Sequence, residues 1–308
     1  MRTGLLKTVL LCTTLVSFPS IASVNDEISF AVISHPVKAT ADESTLQDAI
    51  EHTDEENLAF VVVNGMKAAN EPCTDKIYLQ RKALLEAAKN GLIVSLAASD
   101  WAVCKNENGR SAAIAKLNRV RELFFGDEFS IGATKIPVIR QSMTVKHRSF
   151  AENARWEIDD TLFATINIPA NNNHYVSDAG RNSEFEDRVV ANNDWLYRIF
   201  TSATRKKMKA IVLFSDGNPL GAFRPRTAKR DGYLEVRKQI TTVAAKFPGK
   251  VLLVHGDSAR ASASPAIRWQ GNIGEISVGS GWLKISVNHK GAPAFKVSRK
   301  HAGMAESH

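Results

Sequence analysis

Histidine, aspartate, asparagine and serine recur in this 308-residue sequence immediately after short apolar runs. The positions are Ser34-His35, Asn64-Gly65, Ser99-Asp100, Asn171-Asn172-Asn173-His174, Ser215-Asp216 and His255-Gly256-Asp257. Imidazole nitrogens and carboxylate oxygens ligate cations, while amides and hydroxyls hold anions. The candidate set is therefore His35, Asn64, Ser99, Asp100, Asn171, Asn172, Asp216, His255 and Asp257, and if one metal binds its ligands come from His35, Asp216, His255 and Asp257. Polar residues also fill loops that merely end a strand and turn, so residue type alone leaves both readings open. No Gly-x-Ser-x-Gly elbow, P-loop or Gly-x-Gly-x-x-Gly stretch occurs, which removes residue support for a serine hydrolase or a nucleotide fold.

The apolar runs that precede these positions predict strands at 28–33, 58–63, 92–97, 161–168, 210–214 and 251–254, each buried on both faces. Helical spacing predicts helices over 76–90, 111–124, 184–207 and 234–247, with Gly91 as a stop for the first. Strand and helix alternate, so the fold class is α/β. Short strands at 273–278, 282–287 and 294–297 predict an antiparallel meander at the C-terminal end. No linker or internal repeat interrupts the pattern, and one domain over 24–298 with a polar tail at 299–308 is expected. Open α/β sheets bind ligands beyond the carboxyl ends of their strands, which is where the candidate residues lie.

Composition narrows the setting. With 44% hydrophobic and 23% charged residues the chain is a folded globular protein rather than a disordered one. Arg2 and Lys7, the apolar run 9–18, Pro19 and the small residues around Ala22 have the order of a secretory signal over 1–22. The run is too short to span a bilayer, and the competing reading is a buried first element. The signal reading predicts an exported protein, periplasmic or secreted, with no stable membrane insertion. Its removal takes 40 basic residues to 38 against 32 acidic. The basic clusters at 205–209 and 224–230 lack the interleaved aromatics of a nucleic-acid platform, so no nucleic-acid partner is expected. Cys73 and Cys104 remain after the signal, and a bridge between them would contribute about 3 to 4 kcal/mol; two buried thiols are the alternative.

The order of the strand-end loops resembles the calcineurin-like metallophosphoesterases, in particular a secreted bacterial branch. The resemblance covers about residues 28–298. It rests on Phe60-Val61-Val62-Val63-Asn64-Gly65-Met66-Lys67, Pro72-Cys73-Thr74-Asp75, Ser99-Asp100-Trp101-Ala102-Val103-Cys104 and Glu152-Asn153-Ala154-Arg155-Trp156. It continues through Asn167-Ile168-Pro169-Ala170-Asn171-Asn172, Asn193-Asp194-Trp195-Leu196 and Val254-His255-Gly256-Asp257. The resemblance implies a two-sheet sandwich of mixed sheets flanked by helices, with the strand-end loops directed toward one edge. It also implies two divalent metals and a metal-bound hydroxide that attacks phosphorus.

This sequence departs from that pattern at most ligand positions. Ser34-His35 stands where the family has its first Asp, and Asn64-Gly65-Met66 offers no bridging carboxylate. Ala97-Ala98-Ser99-Asp100 replaces a Gly-Asn turn, Ser215-Asp216 replaces a His, and Gly256-Asp257-Ser258-Ala259 replaces a Gly-His-x-His turn. Two dications a few ångströms apart repel strongly without an anion between them. The expectation is a phosphoesterase scaffold that has lost its dinuclear centre, has no resident cofactor, and takes a small polar or anionic ligand. The alternative is a divergent phosphoric-ester hydrolase with a rebuilt single-metal site for Mn, Fe or Zn.

Overall fold

In β1 (Glu27–Ser34) Phe30 and Val32 alternate with Ala31 and Ile33, and all four are buried. A strand with two apolar faces must be covered on both sides. A computed structural model of the chain describes residues 27–34, 43–177, 182–222, 230–256, 265–279, 281–288 and 294–300. His35, Asp257, the signal at 1–22, the basic residues 224–229 and the end of the tail lie outside the described residues.

Two mixed sheets face each other. The first has the order β12 (Ala294–Lys300), β11 (Gly281–Asn288), β1, β2 (Val61–Asn64) and β3 (Leu92–Ser95), with β1, β2 and β3 parallel. The second runs β4 (Ile139–Arg140), β5 (Ala154–Ile158), β6 (Thr161–Thr165), β7 (Ala210–Ser215), β8 (Lys250–His255), β10 (Ile273–Ser277) and β9 (Arg268–Gln270). Here β6, β7, β8 and β10 are parallel. The α/β class and the two-sheet sandwich that the resemblance implied are both present.

Between the sheets lies an apolar layer that includes Phe30, Val32, Val62, Val212, Leu252 and Ile285. At its centre Phe60 packs edge-on against Phe163 at 4.8 Å and Trp156 at 5.2 Å, contacts that contribute about 0.5–1.5 kcal/mol each beyond burial. The outer face of the first sheet carries α1 (Glu43–Asp54), α2 (Asp75–Glu86) and α4 (Ala113–Phe124), sealed by Leu46, Leu85, Leu117 and Val120. The outer face of the second carries α6 (Ser183–Arg205) and α7 (Leu234–Ala244), through Leu196, Ile199 and Ile240. One-turn elements, α3 (Ala98–Trp101) and α5 (Ala170–Asn173), sit between strand ends and longer helices. Among the described residues, no helix is long and apolar enough to cross a membrane.

The C-terminal meander is corrected. β10 lies in the second sheet beside β8, whereas β11 crosses to the first sheet and pairs with both β1 and β12. Ile276 and Leu283 meet in the same inter-sheet layer from its two sides, so a crossing satisfies the apolar pattern as well as a hairpin would. Only β11 and β12 form the expected hairpin. β5 and α1 are elements that the search for continuous apolar runs missed. In β5, Arg155 and Glu157 alternate with inward Ala154 and Trp156.

Candidate functional site

The carboxyl ends of the two parallel sets meet at one edge, held there by polar side chains at and just after the strand ends. Asn64, which ends β2, donates Nδ2–H to the carbonyl of Ser215, the last residue of β7, at 2.8 Å. Asp216 Oδ2 accepts from the backbone of Ala98, at the start of α3, and of Ala170, at the start of α5, both at 2.7 Å. Asp100 Oδ1 accepts from Met66 N at 3.0 Å and Lys67 N at 3.2 Å, and its Oδ2 from Ala97 N at 2.8 Å. The two carboxylates together close the loops after β2, β3 and β6. Gly65, at φ 77, makes the turn after β2, a region a Cβ disfavours. Ser99 lies between Ala98 and Asp100, its Oγ buried with no hydrogen-bond partner among the described residues. Asn64 Oδ1 and Ser34 Oγ are in the same condition.

Burial pushes the Asp100 carboxyl up to about 6; its backbone hydrogen bonds and Lys67 pull the other way, and nearby Asp216 adds to the rise. Behind it lies a wholly buried charged group that the sequence reading missed. Arg81 Nη2 donates to Glu71 Oε1 at 2.7 Å, Glu71 Oε2 accepts from Ala68 N, and Lys67 Nζ donates to the carbonyls of Ala68 and Glu71. Burial lowers the Lys67 ammonium, against the attraction of Asp100 and Glu71. The signal was legible in part, because Arg81 shares the buried face of α2 with Tyr78 and Leu85. Cys73 and Cys104 form a disulfide across the loops that flank this group, with Cα atoms 5.8 Å apart.

His255, ending β8, is beside Ser215 in the ladder and 2% exposed. Its Nε2 lies 4.0 Å from Glu275 Oε2 on β10, a partner that strand-end reasoning could not supply. Glu275 also binds Arg268 and accepts from Asn218 Nδ2 at 2.7 Å.

The asparagines after β6 do something else. Asn171, Asn172, Asn173 and His174 all have φ between 51 and 59, a single left-handed turn, which disfavours side chains by about 1–2 kcal/mol per residue and asparagine less. Asn171 faces solvent. Asn172 Nδ2 donates to Arg230 O and its Oδ1 accepts from Gly232 N at 2.8 Å. The buried Asn173 and Arg188 secure the rest: Arg188 donates to both the side chain and the carbonyl of Asn173, and Asn173 Nδ2 donates to Gly232 O. Glu184 pairs with Arg188 at 2.7 Å and with His174 at 3.3 Å. Burial works against its charge, but Arg188 and His174 hold it down to about 2. Asn173, His174, Glu184 and Arg188 were not among the candidates.

The edge therefore brings Asn64, Ser99, Asp100, Asp216 and His255 to neighbouring strand ends, while Asn171 and Asn172 serve a turn. Among the described residues no three His, Cys, Asp or Glu side chains are grouped to hold a metal ion. The basic residues at 205–209 are ion-paired in part: Lys206 binds Glu157 at 2.6 Å and Lys209 binds Asp160 at 2.8 Å.

No family description and no curated protein matches this chain. Among solved structures, it is similar to a novel phosphatase from Mycoplasma pneumoniae, at 10% identity over 89% of this chain and 93% of that one, with a TM-score of 0.45. It is also similar to the protein TT1561 of Thermus thermophilus, at 8% identity over 88% of this chain and 98% of that one, with a TM-score of 0.43.

Proposed function

We propose that this chain is a phosphoesterase-like scaffold without a dinuclear metal centre, whose strand-end edge binds a small polar or anionic ligand rather than hydrolysing an ester. The observation that carries the reading is the use of the two buried carboxylates: Asp100 and Asp216 accept five backbone N–H groups between them. Oxygens committed to loop N–H donors are poor ligands, because a cation at the same lone pairs would displace hydrogen bonds and leave buried donors unsatisfied. Met66, at the turn where a bridging carboxylate would be needed, is fully buried among apolar side chains. Among the described residues, the side chains present do not fit two divalent metals.

Three buried polar atoms, Ser34 Oγ, Asn64 Oδ1 and Ser99 Oγ, lack partners among the described residues and are where a small polar ligand is expected to hydrogen-bond. The bonded cysteines support export to an oxidising compartment. Elemental analysis of purified protein, with hydrolysis of bis(p-nitrophenyl) phosphate in added Mn or Zn, tests the proposal. The expected result is substoichiometric metal, no hydrolysis above buffer, and the same melting temperature in EDTA as in Mn. Stoichiometric Mn, Fe or Zn that disappears in His255→Ala overturns it in favour of a single-metal site.

A further inference from the structure

Away from the strand-end edge, a cavity of about 470 Å³ opens between the start of α4, the loop 141–150 and α6. Ile114 and Val190 line it, and with Met143 and Val145 on the same loop and Tyr197 further along α6 they make five large apolar residues that each leave at least half of their surface to solvent, Val145 leaving 79%. They account for half of the exposed large hydrophobics among the described residues. Scattered apolar residues on a surface need no explanation, but five gathered on one loop and the two helices beside it call for one. The set also extends past the cavity, down α6 to Tyr197, which is further than a small molecule would cover.

Charge selects the occupant. The protein as a whole carries +8, yet the charges of this face that have no ion pair among the described residues balance, with the signs on separate elements. Lys146 and Arg148 stand on the loop, Glu186 and Asp187 on the first turns of α6; all four are exposed, and none is ion-paired among the described residues. A surface with one basic and one acidic half on either side of an apolar centre is complementary to itself across a twofold axis, where each half meets the opposite half of the other copy. The face is also held rigid, which reduces the ordering needed on association. Gln141 donates to the carbonyl of Ala191 at 2.7 Å, and His147 Nε2 meets Asp194 Oδ2 at 3.3 Å, fastening the loop to the helix. Asp187, Val190, Asp194 and Tyr197 recur three or four residues apart along one stripe of this 23-residue helix. Such a helix presents about 34 Å of length to a partner.

We propose that this face binds a second copy of the chain in an isologous dimer, with the basic loop of each copy against the acidic start of the other copy's α6. Sedimentation velocity over a concentration series tests it, with circular dichroism and melting temperature confirming that each variant folds. The expected results are a concentration-dependent dimer whose dissociation constant rises with salt, and loss of dimer, with the circular dichroism spectrum unchanged, in Val145→Asp with Val190→Asp. Lys146→Glu weakens association about tenfold or more, and Asp187→Lys in the same chain restores it, because both signs come from every copy. A chain that stays monomeric at every attainable concentration overturns the proposal and leaves the face to a different partner. A dimer indifferent to these substitutions overturns it equally.

Discussion

Glu184 accepts hydrogen bonds from a fully buried guanidinium, and Asp100 accepts three from backbone N–H groups, yet the two carboxylates answer pH in opposite directions. The Glu184 carboxyl falls from 4.5 unfolded to about 2 folded. Its stabilisation is complete above pH 4.5 and is lost as pH falls toward 2, about 3 kcal/mol at 1.36 kcal/mol per unit. Glu184→Gln, which leaves Arg188 buried without its counter-charge, is expected to lower stability by about 3–5 kcal/mol at pH 7. Urea unfolding should show the gap to wild type closing below pH 4; a constant gap would sink the assignment. Asp100 moves the other way, from 3.8 to about 6. The folded state holds that proton more tightly, so its contribution rises by about 3 kcal/mol as pH falls from 6 to 4 and is flat above 6. Asp100→Asn should lack that slope when the same unfolding series is run on it.

The positions of Asn64, Asp100, Asp216 and His255 were legible, because each follows an apolar run that can only be a buried strand. The identity of their partners was not, since Met66 N, Ala97 N and Ala170 N become donors only when three loops converge. Strands buried on both faces were found for the same reason that β5 was missed: continuous apolarity marks the first kind and alternation marks the second. Sheet membership was the least legible feature, as the apolar residues of β10 and of β11 enter the same inter-sheet layer from opposite sheets. At α5 the sequence Asn171-Asn172-Asn173-His174 was read for its chemistry, whereas its backbone explains it, because asparagine is among the few residues tolerated in the left-handed region. Asn171 is exposed, and its side chain has no hydrogen bond among the described residues. Asn171→Ala is therefore expected to cost about 1 kcal/mol through the backbone alone, and Asn171→Gly about nothing. Thermal unfolding of both checks it; equal losses would mean that the amide, not the φ angle, matters.

The two sheets share one apolar layer, but at the strand-end edge they are joined by polar groups, and the disulfide closes the loop that carries Asp100 and the Ala98 N–H bound by Asp216. Residues 73 and 104 are 31 apart in sequence, and the segment between them contains α2, β3 and Asp100, with Lys67 and Glu71 just before it. In the chain-entropy account, closing a loop of that length limits the unfolded chain by about 3–4 kcal/mol. The folded loops retain their other fastenings: Asp100 still accepts Met66 N, Lys67 N and Ala97 N, and Arg81 still binds Glu71. Cys73→Ser with Cys104→Ser is therefore expected to unfold at lower temperature, by roughly 5–10 °C on the usual scaling for larger domains, without a change in the far-ultraviolet spectrum at 25 °C. Hydrogen exchange separates a bridge that acts on the unfolded chain from one that holds the edge together. If it acts on the unfolded chain, exchange at 65–73 and 97–104 should quicken no more than exchange in β1 and β7, since all open through the same global unfolding. Selective loss of protection at 65–73 and 97–104 would show instead that the edge opens locally and that the disulfide, rather than Asp100 and Asp216, keeps it closed.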